Sequence, residues 1–187
     1  GQLSGDYTLL SGVNQAGLLT GYTSGVTSFN PYIAGNPLHD NIGVASHWLV
    51  YVGSGTIDFD LGSVQPLKKV VVWNWNASHG GVGMTNMQVF ASSDAAFTSP
   101  VLLDSFPVAI PGNNQAQVKT LSATTSTRYV RLVVTSGVNR IGFGELAFGA
   151  VATPTVTSST ASLASNASTL TITGSGFDTT PGNNTVV

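Results

Sequence analysis

Cysteine is absent from these 187 residues, which excludes a disulfide framework and any thiolate metal site. Charge is scarce as well: Asp, Glu, Lys and Arg make up 7% of the chain, against about a quarter in an ordinary soluble domain. The surface must therefore be built from Ser, Thr, Asn, Gln and Gly, an unusual make-up for a cytoplasmic protein. Six Lys and Arg against eight Asp and Glu leave a formal net charge of −2, so no basic field exists for a polyanion and nucleic acid is not expected as a partner. No apolar run approaches the roughly 18 residues of a membrane-spanning helix, so no transmembrane segment is expected. The chain opens on Gly1 without a signal-like segment and reads as a processed or truncated piece of something longer. Any sustained helical period with charged outer positions is also missing.

What is present points to an all-β chain. Hydrophobic residues at 42% can bury a real core, and 22 glycines and eight prolines beside abundant Thr and Val give short strands joined by tight turns. The stretch Ile57–Asp94 organises the rest. Ile57, Phe59 and Leu61 alternate with Asp58 and Asp60, the period of a strand with one buried and one wet face. A turn is expected through Gln65 and Pro66. Val70–Trp75 then carries apolar side chains to both faces and reads as a central strand. Asn76–Gly83 is a polar, glycine-rich loop, and Met87–Asp94 is a further strand ending in a turn.

Before this stretch, Gly1–Gly25 reads as one or two edge strands, Val26–Trp48 as mostly loop, and Trp48–Val52 as strand. After it, Val101–Leu103, Gln115–Leu121 and Thr127–Val134 read as strands, with Val130, Leu132 and Val134 on one face and Arg131 on the other. Composition changes at Ala150, giving a first domain over 1–149 and, over 150–187, a Ser/Thr-rich linker leading into a truncated second β domain.

The chemistry-bearing residues are few. A glycoside hydrolase wants two carboxylates across a cleft; Asp58 and Asp60 share an exposed strand face, which leaves Glu145 without an obvious partner. No Gly-x-Ser-x-Gly, His-Glu-x-x-His or phosphate-cradling loop occurs. His39, His47 and His79 show no metal-ligand spacing. Catalysis is not expected.

The order of the Ile57–Gly62 "D-L-G" strand, the Val70–Trp75 strand, the Val89–Asp94 "V-x-x-S-x-D" strand, the Arg128–Leu132 "R-Y-V-R-L" strand and the closing Glu145-Leu146 resembles the discoidin, or coagulation factor C-type, galactose-binding-like family over roughly Val26–Gly149. The resemblance implies a jelly-roll β-sandwich whose loops at one end recognise glycans or other surfaces without doing chemistry. It also implies one structural calcium ion, with Asp40, Asn41 and Glu145 at the matching positions, although the family's "D-G-N" is Asp40-Asn41-Ile42 here. The bland alternative is that Asp40 caps a turn and Glu145 pairs with Arg140.

Sugars are held by an aromatic ring against their C–H face and by amide, imidazole or guanidinium groups on their hydroxyls. Trp75, Asn76, His79 and Arg140 are therefore the ligand-binding candidates, expected to converge at one rim, while Trp48 and Trp73 are expected in the core. Separately, Pro154-Thr155-Val156, Leu170–Phe177 and Asn184-Thr185-Val186 resemble the opening strands of an immunoglobulin-like IPT/TIG domain. The expected role is a non-catalytic, extracellular or cell-surface carbohydrate-binding module of a larger bacterial protein. The alternative is a spacer or subunit of a surface fibre, sheath or envelope layer that contacts copies of itself through an open sheet edge.

Overall fold

The computed structural model describes residues 9–40, 46–75, 83–109, 114–135, 140–151, 155–158, 172–175 and 177. Two compact units divide the chain, Gly1–Ala150 and Val151–Val187. Six strands of the first unit, β1 (Trp48–Val50), β2 (Ser54–Asn74), β3 (Asn86–Ser92), β4 (Val101–Pro107), β5 (Ala116–Thr135) and β6 (Ile141–Ala150), pair in the order β1-β6-β2-β5-β3-β4. Every pairing is antiparallel. A 3₁₀ turn at Leu9–Gly12 and the short helix α1 (Phe29–Ala34) precede them.

Two long strands turn this one sheet into two layers. The first half of β2 pairs with the second half of β5, from Ser54↔Thr135 to Asp60↔Tyr129, and the second half of β2 pairs with the first half of β5, ending at Trp73↔Ala116. On one layer β5 continues to β3 and β4; on the other β2 continues to β6 and β1. The result is the all-β jelly-roll sandwich expected from the strand order.

The turn expected at Gln65-Pro66 is instead a bend inside β2. Register breaks between Asp60 and Gln65, where Gly62 takes φ +81° and donates its N–H to Asp60 Oδ1 at 2.8 Å; only glycine adopts that backbone without strain. The two strands expected over Gln115–Val134 are likewise one, β5. A strand that bends without breaking keeps its backbone hydrogen bonds in both layers.

The core lies between the layers. Ile57, Met87, Val89, Val130 and Leu132 meet Val70, Val72, Leu121, Phe143 and Leu146 there, each such side chain contributing about 1.5–3 kcal/mol on burial. Trp48 joins them and stacks on Phe143 at 5.0 Å between ring centroids.

The second face of Val70–Trp75 is buried because Val71 and Trp73 pack against Ile33 of α1, with Phe29 and Tyr32 alongside. The segment expected to be loop thus contributes a helix that closes the outer face of β2 and β6. The wet face of the other layer carries cross-strand pairs: Arg131 grips Asp58 at 2.7 and 2.8 Å, and Arg128 grips Asp60 at 2.7 and 2.8 Å.

In the second unit β7 (Thr155–Ser158) pairs antiparallel with β8 (Thr173–Ser175). Among the described residues no helix is long and apolar enough to cross a membrane.

Candidate functional site

A cavity of about 460 Å³ lies where the segment before β1 covers the outer face of β2 and β6, with Gln15, Tyr22, Tyr32, Trp73 and Glu145 among its walls. Its size falls in the roughly 300–1,000 Å³ range of small-molecule sites. Glu145 reaches it through an irregularity in β6. Trp73 pairs with Glu145 and Asn74 with Phe143, so Gly144 is an extra residue, and such a bulge re-aims the neighbouring side chain. Gly144 is required for a second reason: a Cβ there would stand 2.6 Å from His39 Nδ1.

The roof is tied down residue by residue. Gln15 takes a positive φ of 64°, an uncommon backbone for a non-glycine residue, and its N–H donates to Glu145 Oε2 at 2.8 Å. Gln15 Nε2 donates to Ser24 Oγ at 2.8 Å. Tyr32 donates its hydroxyl to Thr20 O at 2.8 Å and faces Tyr22 at 4.9 Å between centroids, while Tyr22 meets Phe29 edge-on at 6.2 Å. Trp73 Nε1 donates to Pro37 O at 2.8 Å, fixing the chain beyond α1.

Two carboxylates line this cavity, and their environments push them apart. Burial raises Glu145 to about 8, only partly offset by the Gln15 N–H. The Arg128 hydrogen bonds and the Gly62 N–H hold Asp60 at about 2. The sequence leaves Glu145 without a carboxylate partner and places Asp60 on a wet strand face; the bend at Gly62 brings Asp60 to the rim of the same cavity. Tyr22 and Tyr32 are shifted upward, chiefly by burial.

A second polar cluster forms at Asp40. Ser46 Oγ donates to its carboxylate at 2.9 Å, and Asp40 Oδ1 stands 3.4 Å from His39 Nδ1 and 3.8 Å from His47 Nδ1. No spacing in the sequence brings two histidines together; here the His39 and His47 rings lie 4.9 Å apart, and burial lowers the His39 pKa. His39 fits because Gly17 and Gly144 leave space for its ring.

Calcium takes six to eight oxygens. The described donors at Asp40 are one carboxylate, one hydroxyl and two imidazoles, and Glu145 stands outside this metal-capable group. Asp40, Asn41 and Glu145 are the residues that would hold the calcium ion the resemblance implies, and of these Asn41 lies outside the described residues.

The other candidates from the sequence separate. Trp75 is 9% exposed and lies against His47 at 4.6 Å between centroids. Arg140 does not pair with Glu145; it stacks over Tyr51 at 5.1 Å, and that ring is 50% exposed. Asn41, Asn76 and His79 lie outside the described residues. Trp48 and Trp73 are in the core, as expected. Sequence reasoning missed Gln15, Tyr22, Tyr32 and Tyr51. The available signal was aromatic: Tyr22, Phe29 and Tyr32 sit at intervals of seven and three in a stretch otherwise made of turn formers.

No curated protein matches the chain. Among solved structures, an F5/8 type C domain of a Bacteroides fragilis protein is 14% identical with a TM-score of 0.48, covering 55% of this chain and 71% of its own. A CBM32 module from Clostridium perfringens, solved with GalNAc-β-1,3-galactose, is 14% identical with a TM-score of 0.48, covering 60% and 90%. The family 32 CBM of Clostridium perfringens NanJ, solved with galactose, is 10% identical with a TM-score of 0.45, covering 59% and 87%. The F5/8 type C domain model matches residues 27–146, more than half of the sequence and all six strands of the sandwich apart from the last four residues of β6, and the chain belongs to that family.

Proposed function

We propose that this chain is a non-catalytic carbohydrate-binding module of a larger secreted or cell-surface protein. The observation that carries this reading is the cavity over β2 and β6, where aromatic rings (Tyr22, Tyr32) stand beside polar groups (Gln15, Ser24, Gln65) in one enclosure. Rings against C–H faces and amides against hydroxyls are what a sugar requires. The surface composition, poor in charge and rich in Ser and Thr, supports an extracellular setting.

The way the carboxylates are engaged supports binding rather than catalysis. A raised Glu145 beside an ionised Asp60 has the electrostatics of an acid with a counter-carboxylate. Both Asp60 oxygens, however, are held by Arg128, and Oδ1 also accepts from Gly62. Trp75, deduced from the sequence as a contact, is buried, and Tyr51 under Arg140 is half exposed away from the cavity's lining. We read residues 150–187 as a linker and the truncated opening of an IPT/TIG-like domain, on the sequence patterns Pro154-Thr155-Val156 and Leu170–Phe177.

A glycan array tests the proposal. The intact chain is expected to give hits that Tyr32→Ala removes and Tyr51→Ala leaves in place. No hits, together with filaments or multimers indifferent to both substitutions, would instead support the role of a surface-fibre spacer.

A further inference from the structure

The cavity is long, and one of its sides is an open sheet edge. Its lining runs along β6 from Glu145 to Ala150 and along β2 from Trp73 to Leu67, the residues that pair with those two. It therefore follows β6 for about 17 Å, at roughly 3.4 Å per residue. On the edge of β6 away from β2, β1 pairs only with Ile141, Gly142 and Phe143. Beyond Phe143 no other strand among the described residues takes its place, and no described backbone bond reaches that edge. The N–H and C=O groups turned to that side of 145–150 face the cavity and need partners.

The two ends differ. At the Glu145 end Tyr32 packs with Trp73, and Tyr22 stands against Tyr32 beside Gln15 and Ser24. At the Ala150 end Phe59 meets Phe148 edge-on at 5.0 Å, with Leu61 and Gln65 alongside. Ser24 at one end and Asp60 and Ala150 at the other are exposed, so a ligand longer than the groove can leave it at either end. No Lys or Arg belongs to the lining. The nearest cations are engaged outside it, Arg128 by Asp60 and Lys69 by Asn30. An acidic sugar entering here would shed its water without gaining a counter-charge.

We infer that the groove holds an uncharged oligosaccharide, not a single sugar, lengthwise along β6 with its hydroxyls on the open backbone edge, and that it rejects acidic sugars. The inference rests on the carbohydrate-binding reading; the length comes from the β6 edge and the selection against charge from the lining. Tyr22 and Tyr32 take the C–H face of the ring at one end, and Gln65 bonds a hydroxyl at the other.

The test is calorimetry on the full chain with glucose, galactose, mannose and N-acetylglucosamine, their β-1,4-linked oligomers of increasing length, and β-1,4-linked mannuronate oligomers. In at least one neutral series affinity is expected to rise about tenfold or more from the single sugar to the trimer. Mannuronate oligomers of equal length are expected to bind about tenfold or more weaker than that series. Tyr32→Ala should weaken every length, whereas Gln65→Ala should weaken the trimer and leave the single sugar unchanged. Gln65→Lys, which adds a counter-charge, should raise the affinity for the mannuronate trimer. Affinity already complete with the single sugar and indifferent to Gln65→Ala would overturn the inference and leave carbohydrate recognition standing. Mannuronate bound as tightly as the neutral series would overturn the selection against charge. If no sugar binds, the carbohydrate-binding reading falls with the inference; heat from an alternating Thr-Val hexapeptide would then make the β6 edge a strand-pairing site.

Discussion

The rim and the floor of one cavity treat the same functional group in opposite ways. At the rim Asp60 sits in a bidentate grip with Arg128 and stays ionised down to about 2; at the floor Glu145 has a backbone N–H and aromatic neighbours, and stays protonated up to about 8. Distance from water and the presence of a guanidinium decide the outcome, not the chemistry of the acid. The floor thus buries a carboxylate beside a backbone N–H, whereas the rim pairs one with a guanidinium.

The largest expected effect breaks the floor. Folded Glu145 keeps a proton that the unfolded chain, with an ordinary value of 4.5, gives up. Its contribution is fully present below pH 4.5 and is lost as pH rises through about 8, at about 1.4 kcal/mol per pH unit in that window. Urea unfolding across the window should show this decline, and Glu145→Gln should flatten it; an unchanged slope in the variant would mean that the carboxyl is not buried as described.

A buried polar group with a full set of partners sharpens the contrast. Asn74 donates to Met84 O and Ala109 O at 2.8 Å and accepts from Met84 N at 2.9 Å. Asn74→Ala should cost about 2–3 kcal/mol at every pH, since it strands buried backbone groups rather than a charge. A pH-dependent loss would contradict that origin.

Gly144→Ala should act next, lowering stability by about 1–3 kcal/mol as the added Cβ meets the His39 ring. Because Gly144 forms the bulge that aims Glu145, the same variant should also move the Glu145 titration seen by NMR. The smallest effect belongs to the rim: in Arg128→Ala the Asp60 carboxyl should climb from about 2 toward its ordinary 3.8, with no measurable change in stability or in Glu145, as expected for an exposed pair.

Much of the sandwich was legible before any coordinate. Ile57, Phe59 and Leu61 alternate because one face of β2 is wet, and Val70–Trp73 do not because α1 closes the second face. The cavity was hidden for the opposite reason. Gln15 and Glu145 are 130 positions apart, and no local period connects them. Trp75 looked open beside a glycine-rich loop, yet it is taken up by His47, whose place beside His39 no ligand spacing announces.

By itself the sequence determined the class of the chain and the faces of its strands, since alternation of apolar and polar residues is a local property that every strand must satisfy wherever it lies. The tertiary structure alone decided which carboxylate meets a guanidinium and which is left among tyrosines. Burial and counter-charges come from residues far apart in sequence, and they act over a few ångströms of space rather than a few positions of chain.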